Sequence, residues 1–412
     1  MSKKTLLMLS GGPDSAAALW VAAQEGPVLA VHARFAPRQN RREAEETAAR
    51  RIVEYVSGQS EHNIRLDVVD YDIPRDVADI VYDCYHLAGL EAVYLIAHKD
   101  IHRVTRVARN ENLIESISVM RRERASMAVE RMVNLSVERN EPFAWWDVFG
   151  WPNSMKRVDA HRLMPDHLVK MSISCRRPGL DGNGEWSPCG ECFKCKGYLP
   201  KLRQPEACGY TELVFLSGGA GSATALWLAA REGPVLAIHV QFSNHPIRRE
   251  VEEDAARRIV DYVREKSRHP VRFDVIKYTP AADTLGVAQN DMHHFASIRA
   301  AYVLAYADIE RIWRAAPAHD AGYSARRGQT RRAWVAFHNA LCRDRRGLEW
   351  RDPFGWPNPV LKEDALRMAP RELIDLTVSC RSPVSDGRGG WEACGRCHKC
   401  RGDWSYENGR KP

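Results

Sequence analysis

The sequence predicts an α/β protein made of two tandem copies of one parallel-sheet domain, and three observations predict it. The chain repeats itself: Gln24-Glu-Gly-Pro-Val-Leu-Ala-Val-His-Ala-Arg-Phe35 recurs as Arg231-Glu-Gly-Pro-Val-Leu-Ala-Ile-His-Val-Gln-Phe242, and Ala48 to Val56 recurs as Ala255 to Val263 with Glu54 changed to Asp261, both at an offset of 207. Phe149-Gly-Trp-Pro-Asn153 matches Phe354-Gly-Trp-Pro-Asn358, and Cys175 matches Cys380, at an offset of 205. A unit of about 205 residues is a whole domain, whereas solenoid repeats run about 20–50. Each copy also alternates short apolar runs with amphipathic segments, the order that gives strands crossed over by helices. Finally, the runs are apolar throughout, as in strands covered on both faces of a parallel sheet.

Taken in order, Thr5 to Leu9 is an apolar run of strand length. Ser15 to Glu25 is Ala-rich and apolar on one face, with Gly26 as the helix stop. Val28 to Phe35 reads as a second strand, Ala44 to Val56 as an amphipathic helix and Ile64 to Tyr71 as a third strand. The middle third of each copy is rich in helix formers without a legible order. Leu199-Pro-Lys-Leu-Arg-Gln-Pro205 is a polar, Pro-containing linker, so the domains are expected at 1–203 and 204–412.

The 412 residues carry 60 Lys+Arg against 53 Asp+Glu, with 44% hydrophobic and 27% charged residues, which excludes a disordered or fibrous chain. No apolar run nears the roughly 20 residues of a membrane span, and the apolar run behind Met1-Ser-Lys-Lys is too short for a signal peptide, so a cytoplasmic location without membrane contact is expected. The net charge of +7 is a weak argument for nucleic acid, and the Arg-rich stretches at Arg121 to Arg124 and Arg326 to Arg332 read as solvated helix faces.

Between the first strand and the first helix stands Ser10-Gly11-Gly12-Pro13-Asp14-Ser15. Glycines let the backbone approach an oxyanion, the N–H groups of a helix start point at it, and Asp14 could hold a Mg²⁺ bridging phosphate oxygens. The Walker pattern is absent. The alternative is a Gly-rich turn whose Asp and Ser cap the helix. The second copy reads Ser217-Gly218-Gly219-Ala220-Gly221-Ser222, with Gly221 in place of Asp14. Its glycines and serines could bind an anion, but the metal-holding carboxylate is gone.

Eight of the 11 cysteines form two matched sets: Cys175, Cys189, Cys192 and Cys195, then Cys380, Cys394, Cys397 and Cys400. A Cys-x-x-Cys-x-x-Cys run offers three thiolates on one turn, the distant fourth closes a tetrahedron, and Gly190 and Gly395 relax the turn. An iron–sulfur cluster is the rival, although its run usually ends in a Cys-Pro absent here. Disulfides do not suit a reducing compartment. Cys84, Cys208 and Cys342 are left over and are expected to be small buried hydrophobes.

The Ser-Gly-Gly-x-Asp-Ser loop after the first strand resembles the signature of PP-loop ATP pyrophosphatases, and its pairing with a C-terminal four-cysteine cluster resembles the 7-cyano-7-deazaguanine synthases (QueC-like). The resemblance covers each repeat end to end and is poor in the middle. It implies an adenine-nucleotide-alpha-hydrolase-like (PP-loop) fold in tandem, each domain with a structural four-cysteine zinc site, hence two Zn²⁺ together with ATP and Mg²⁺. It further implies Asp14, Ser15 and Ser10 as catalytic residues, and nucleotide binding by Leu9, Ser10, Gly11, Gly12, Pro13, Asp14, Ser15, Ala16 and Lys156. Lys156 and its neighbour Arg157 equally suit a helix start with exposed cations.

The activity implied is ATP-dependent adenylation and amidation of a carboxylate on a 7-deazaguanine-type acid, with AMP and pyrophosphate released. The family's base-binding segments are degraded here. Phe35-Ala-Pro-Arg38-Gln39-Asn40 stands in for one, with Glu43 and Glu250 at its expected glutamate or simply on a helix surface. A remnant of another is Asp320-Ala-Gly322-Tyr323-Ser324-Ala-Arg326, with Arg299 upstream, or else loop residues without a ligand. If the remnant is real, the two repeats are an intramolecular pseudo-dimer dividing ATP and base recognition. Two alternatives stay open. One is a QueC-like anti-phage defence protein, encoded in a defence operon, that joins such an acid to a protein or nucleic acid. The other is a non-catalytic nucleotide-binding subunit.

Overall fold

The computed structural model describes residues 3–36, 39–78, 83–107, 115–137, 141–149, 159, 161–196, 207–242, 246–280, 284, 291–313, 325–342, 348–354, 364, 366–378, 380, 382–385, 391–397 and 400. The chain groups into two compact units. The first holds Met1–Gln204, Pro280–Ala301 and Arg332–Leu341; the second holds Pro205–Thr279, Tyr302–Arg331 and Cys342–Pro412. Two segments of the second repeat therefore belong with the first unit. The expected linker between repeats lies outside the described residues.

The first unit runs β1 (Lys4–Met8), α1 (Pro13–Glu25), β2 (Val28–Ala36), α2 (Gln39–Gln59), β3 (Ile64–Asp72), α3 (Arg75–Ala78), α4 (Asp83–Ala97), β4 (Ile101–Arg106), α5 (Glu115–Ser136), β5 (Ala144–Asp147), α6 (Asp166–Met171), a small hairpin β6 (Gly179–Leu180) and β7 (Trp186–Ser187), and α7 (Phe193–Lys196). Its strands lie in the order β3-β2-β1-β4-β5, every pairing parallel. The register sets Leu6 beside Leu29 and Leu7 beside Ala30. All four are sealed from solvent, as the unbroken apolar runs require. After β3 the chain returns to the other side of β1, so the strand order reverses beside β1. The loop leaving β1 opens at that switch point, where open α/β sheets bind ligands.

The second repeat runs likewise through β8 (Glu212–Phe215), α8 (Ala220–Glu232), β9 (Val235–Phe242), α9 (Pro246–Lys266), β10 (Val271–Thr279), α10 (Asp291–Ala305), β11 (Arg311–Trp313), α11 (Ala325–Leu341), β12 (Glu349–Arg351), α12 (Arg371–Asp375) and a hairpin of β13 (Val384–Ser385) with β14 (Trp391–Glu392). Its order is β10-β9-β8-β11-β12, again all parallel. Helix α10 up to Ala301 and the end of α11 from Arg332 pack in the first unit. There Gly89 of α4 meets Ser297 of α10 so closely that a Cβ at 89 would lie 2.3 Å from the serine side chain.

Helix α2 begins at Gln39, ahead of the expected Ala44. Its buried stripe is Ala44, Ala48, Ala49, Ile52 and Val56. The Arg50–Glu46 pair, one turn apart, lies on the more exposed side, where apolar periodicity gives no signal, and the Arg41–Glu45 pair is largely covered. Helix α1 ends at Gly26, whose N–H reaches the Ala22 carbonyl with φ 172, an extended stop instead of the left-handed one. Of the three leftover cysteines, Cys342 alone is fully buried. Cys208 is half-buried and polar in use: its N–H donates to Asp308 at 3.0 Å and its thiol at 3.1 Å. Among the described residues no helix is long and apolar enough to cross a membrane.

Candidate nucleotide site and metal centres

At the end of β1, the Leu9 N–H still bonds Val31 of β2 at 2.8 Å, and its carbonyl accepts from the His32 Nδ1–H at 2.8 Å. His32 is 1% exposed and burial lowers its pKa, so the ring is neutral and fixed in this tautomer. The chain then turns at Gly11, whose φ of 77 and a position 2.4 Å from the Glu45 carbonyl for any Cβ admit no side chain. Ser15 Oγ donates to the Gly12 carbonyl at 3.0 Å and accepts from the Ser10 N–H at 3.1 Å; the two serine hydroxyls lie 3.0 Å apart. Gly12 N–H donates to Ser10 Oγ at 3.3 Å. Helix α1 begins at Pro13 with Gly12 at its cap and no side-chain cap hydrogen bond, and the first-turn N–H groups have no acceptor within the helix. A loop of this shape at a helix start could hold an anion.

Asp14, a quarter exposed in the first turn of α1, lies 3.1 Å from His161 Nε2. The stretch holding His161 continues to Ile173, whose N–H donates to the Gly11 carbonyl at 2.9 Å, two residues before Cys175. The loop is thus built by β1, α1 and the segment that leads into the cysteine module. Of the nucleotide-site residues expected from the sequence, Leu9 to Ala16 come together here, while Lys156 lies outside the described residues.

The second loop has the same internal geometry. Gly218 stands at φ 77 with Glu252 O 2.6 Å from a would-be Cβ. Ser217 and Ser222 hydroxyls are 3.1 Å apart, Ser222 donates to the Gly219 carbonyl at 2.8 Å, and Val378 N–H reaches Gly218 O at 2.9 Å. His239 holds the Leu216 carbonyl at 2.8 Å as His32 holds Leu9. What differs is chemical: no carboxylate stands at position 221.

Sequence reasoning missed His32, His239 and His161. Alignment of the two copies would have marked the first two as identical strand histidines; His161 sits where the second copy has Leu366. Of the expected base-binding residues, Asp320, Gly322 and Tyr323 lie outside the described residues, and Arg326 is placed in α11. Arg299 is 4% exposed on α10, its guanidinium carbon 4.5 Å over the Trp334 ring. Glu43 accepts from Gln39 at 3.0 Å on the exposed side of α2.

Both cysteine sets converge, with all ligand atoms of each set within 4.8 Å of one another. The Sγ–Sγ separations are 3.9 Å for Cys175–Cys192 and 3.5 Å for Cys192–Cys195, and 3.9, 3.9 and 3.4 Å for Cys380–Cys397, Cys394–Cys400 and Cys397–Cys400. A disulfide needs about 2.05 Å. Four thiolates about 2.3 Å from one zinc stand roughly 3.8 Å apart at tetrahedral angles. Backbone N–H groups point at the sulfurs: Cys189 at Cys175 (3.2 Å), Arg176 at Cys192 (3.3 Å) and Cys192 at Cys189 (3.3 Å). Burial opposes ionisation of Cys192, but the backbone N–H groups of Arg176 and Cys195, with the neighbouring Cys195 and Cys175 sulfurs, hold its thiol down at about 6. Cys189 and Cys394 are lowered by the same kind of donor. Gly190 and Gly395 adopt φ 69 and 64, the left-handed turn that lets the knuckle close. Each set could hold zinc, and Cys175 and Cys192 belong to the same apolar core as α1 and α2.

No protein-family model and no curated protein matches the chain. One solved structure with detectable likeness is "The first ketoreductase of the tylosin PKS", 14% identical, over 84% of this chain and 69% of that one, at a TM-score of 0.21. At that score the likeness carries no argument.

Proposed function

We propose that the chain is an ATP-dependent enzyme of the PP-loop, QueC-like type, which adenylates a carboxylate and passes the acyl group to an amine. The observation that supports it best is the loop of Ser10 to Ser15. It could hold an anion at the switch point of a parallel sheet, carries a carboxylate at Asp14, and is tied through Ile173 to a four-cysteine centre. A carboxylate is inert to amines until one oxygen becomes a leaving group. Its oxygen attacks the α-phosphorus of ATP, pyrophosphate departs, and an amine then displaces AMP from the acyl carbon. The first-turn N–H groups of α1 that follow Pro13 stabilise charge on the phosphates as the bond to pyrophosphate lengthens. Asp14 with substrate phosphate oxygens is a donor set that suits Mg²⁺, which when bound supplies charge neutralisation of the departing pyrophosphate. The zinc sites are closed by four thiolates and stay outside the chemistry.

A 7-deazaguanine-type acid is the substrate that the sequence resemblance suggests, with ammonia or a macromolecular amine as acceptor; a partner protein would enter in the second case. A second reading, a nucleotide-binding subunit without catalysis, is favoured by the second loop, which keeps its geometry without a carboxylate. Mass spectrometry after incubation with ATP, Mg²⁺ and 7-carboxy-7-deazaguanine separates the readings. AMP with an amide or nitrile product supports the synthase, and a mass increment on an added acceptor supports conjugation. Bound ATP with no AMP supports the subunit.

A further inference from the structure

His161 stands in a turn that both copies keep. Met164 N–H donates to the His161 carbonyl at 3.3 Å, and at the matched place Ala369 N–H donates to the Leu366 carbonyl at 3.3 Å. Arg162 reaches Asp159 at 3.1 Å, as Arg367 reaches Asp364 at 3.2 Å. With the backbone so alike, Leu366 is the counterpart of His161, just as Gly221 is the counterpart of Asp14. Both members of the 3.1 Å Asp14–His161 pair are therefore replaced in the copy that lacks the carboxylate. The serine contacts, the glycine turn and the brace from Val378 or Ile173 are retained in both. A histidine needed only to shape the loop would be needed in the second copy too, because that copy has the same shape.

We infer that His161 is a positioning residue of the first nucleotide site: its Nε2–H donates to Asp14 Oδ1 and fixes the carboxylate in the orientation that receives the cation of a Mg²⁺–nucleotide. A hydrogen bond to a charged acceptor restrains that side chain more than a neutral one would. The second copy has neither member of the pair and keeps the scaffold around it. This inference rests on reading the first loop as a Mg²⁺–nucleotide site.

The test is calorimetric titration of the full-length protein with α,β-methylene ATP, with and without Mg²⁺. H161L is expected to lower the Mg²⁺-dependent affinity about tenfold, the loss of one charge-assisted hydrogen bond, with metal-free affinity unchanged. H161Q, which keeps an N–H donor, should recover to within about threefold, and D14A/H161L should bind no more weakly than D14A. Equal loss with and without Mg²⁺, or no loss, overturns the inference while leaving the loop reading intact. A wild-type chain that takes up no nucleotide overturns the reading and the inference together. If H161L loses its cooperative melt, the second loop decides. G221D/L366H should gain a Mg²⁺-dependent nucleotide that G221D alone does not gain, and equal titration of the two variants overturns the inference.

Discussion

At Gly11 the backbone is left-handed and the Glu45 carbonyl occupies the space a Cβ would need, 2.4 Å away. Gly11→Ala is therefore expected to cost about 2 kcal/mol or more of stability and to deform the loop, measured as a fall in melting temperature and in nucleotide affinity. Asp14 differs: it is a quarter exposed at a helix start. Asp14→Ala should leave the melt nearly unchanged and abolish AMP formation, whereas Gly221→Ala should leave the AMP rate nearly unchanged. Equal sensitivity of the two loops, read as AMP release, would contradict the asymmetry. Buried histidines set a pH response. His32 and His239 have pKa values lowered by burial, and His293, whose Nε2 lies 2.8 Å from Ser136 Oγ, is lowered to about 4, again first by burial. All three fold as the neutral ring. Their stabilisation is full above the ordinary value near 6.5 and is lost as pH falls toward the folded values. Each makes stability fall by up to about 1.4 kcal/mol per pH unit in that window. Denaturant melts at pH 7.5 and 5.5 should show it, and H32Q/H239Q should flatten the slope. An unchanged slope would count against neutral burial.

The elements explain what was legible and what was not. Strands β1 and β2 and helices α1 and α2 were readable because burial keeps such strands largely apolar and leaves helices a stripe with a period of 3.6; β3 departs from the fully apolar pattern, carrying Arg65, Asp67 and Asp70 and burying only Asp67, Val69 and Tyr71. The loop residues and the cysteines were readable because their chemistry depends on residue type at fixed spacing. The middle third was not: α4, α5, α10 and α11 bury small and polar residues, such as His86, Ser126, His293 and Arg299, so neither period stands out. Gly89 looks like a helix breaker in sequence, yet it is where α4 comes close to Ser297. Gly89→Val should overpack that contact by about 1–3 kcal/mol, visible as a lower denaturation midpoint. His161 was illegible because its partner is 147 positions away, and a lone histidine in a polar turn has no local signature. The cysteine module also acts at this scale. Cys175 follows the Ile173 brace on Gly11, so removing metal should loosen the loop as well as the module. C192S or C397S should lower the melting temperature and solubility, and chelation of the wild type should weaken nucleotide binding in step with loss of zinc. A fold and affinity unchanged by both substitutions would contradict a structural role.

Over the whole molecule, the two repeats share sheet order, loop geometry and cysteine spacing, and differ at Asp14 against Gly221 and His161 against Leu366. Elemental analysis should find two zincs per chain and no iron or acid-labile sulfide. On the proposed reading, one repeat only carries a metal-assisted nucleotide site, and that site is built on Asp14. The most direct test is the stoichiometry of Mg²⁺-dependent binding of α,β-methylene ATP to the full-length chain. One nucleotide per chain is expected, lost in Asp14→Ala and kept in Gly221→Ala; two Mg²⁺-dependent nucleotides per chain, or one that survives Asp14→Ala, would contradict it.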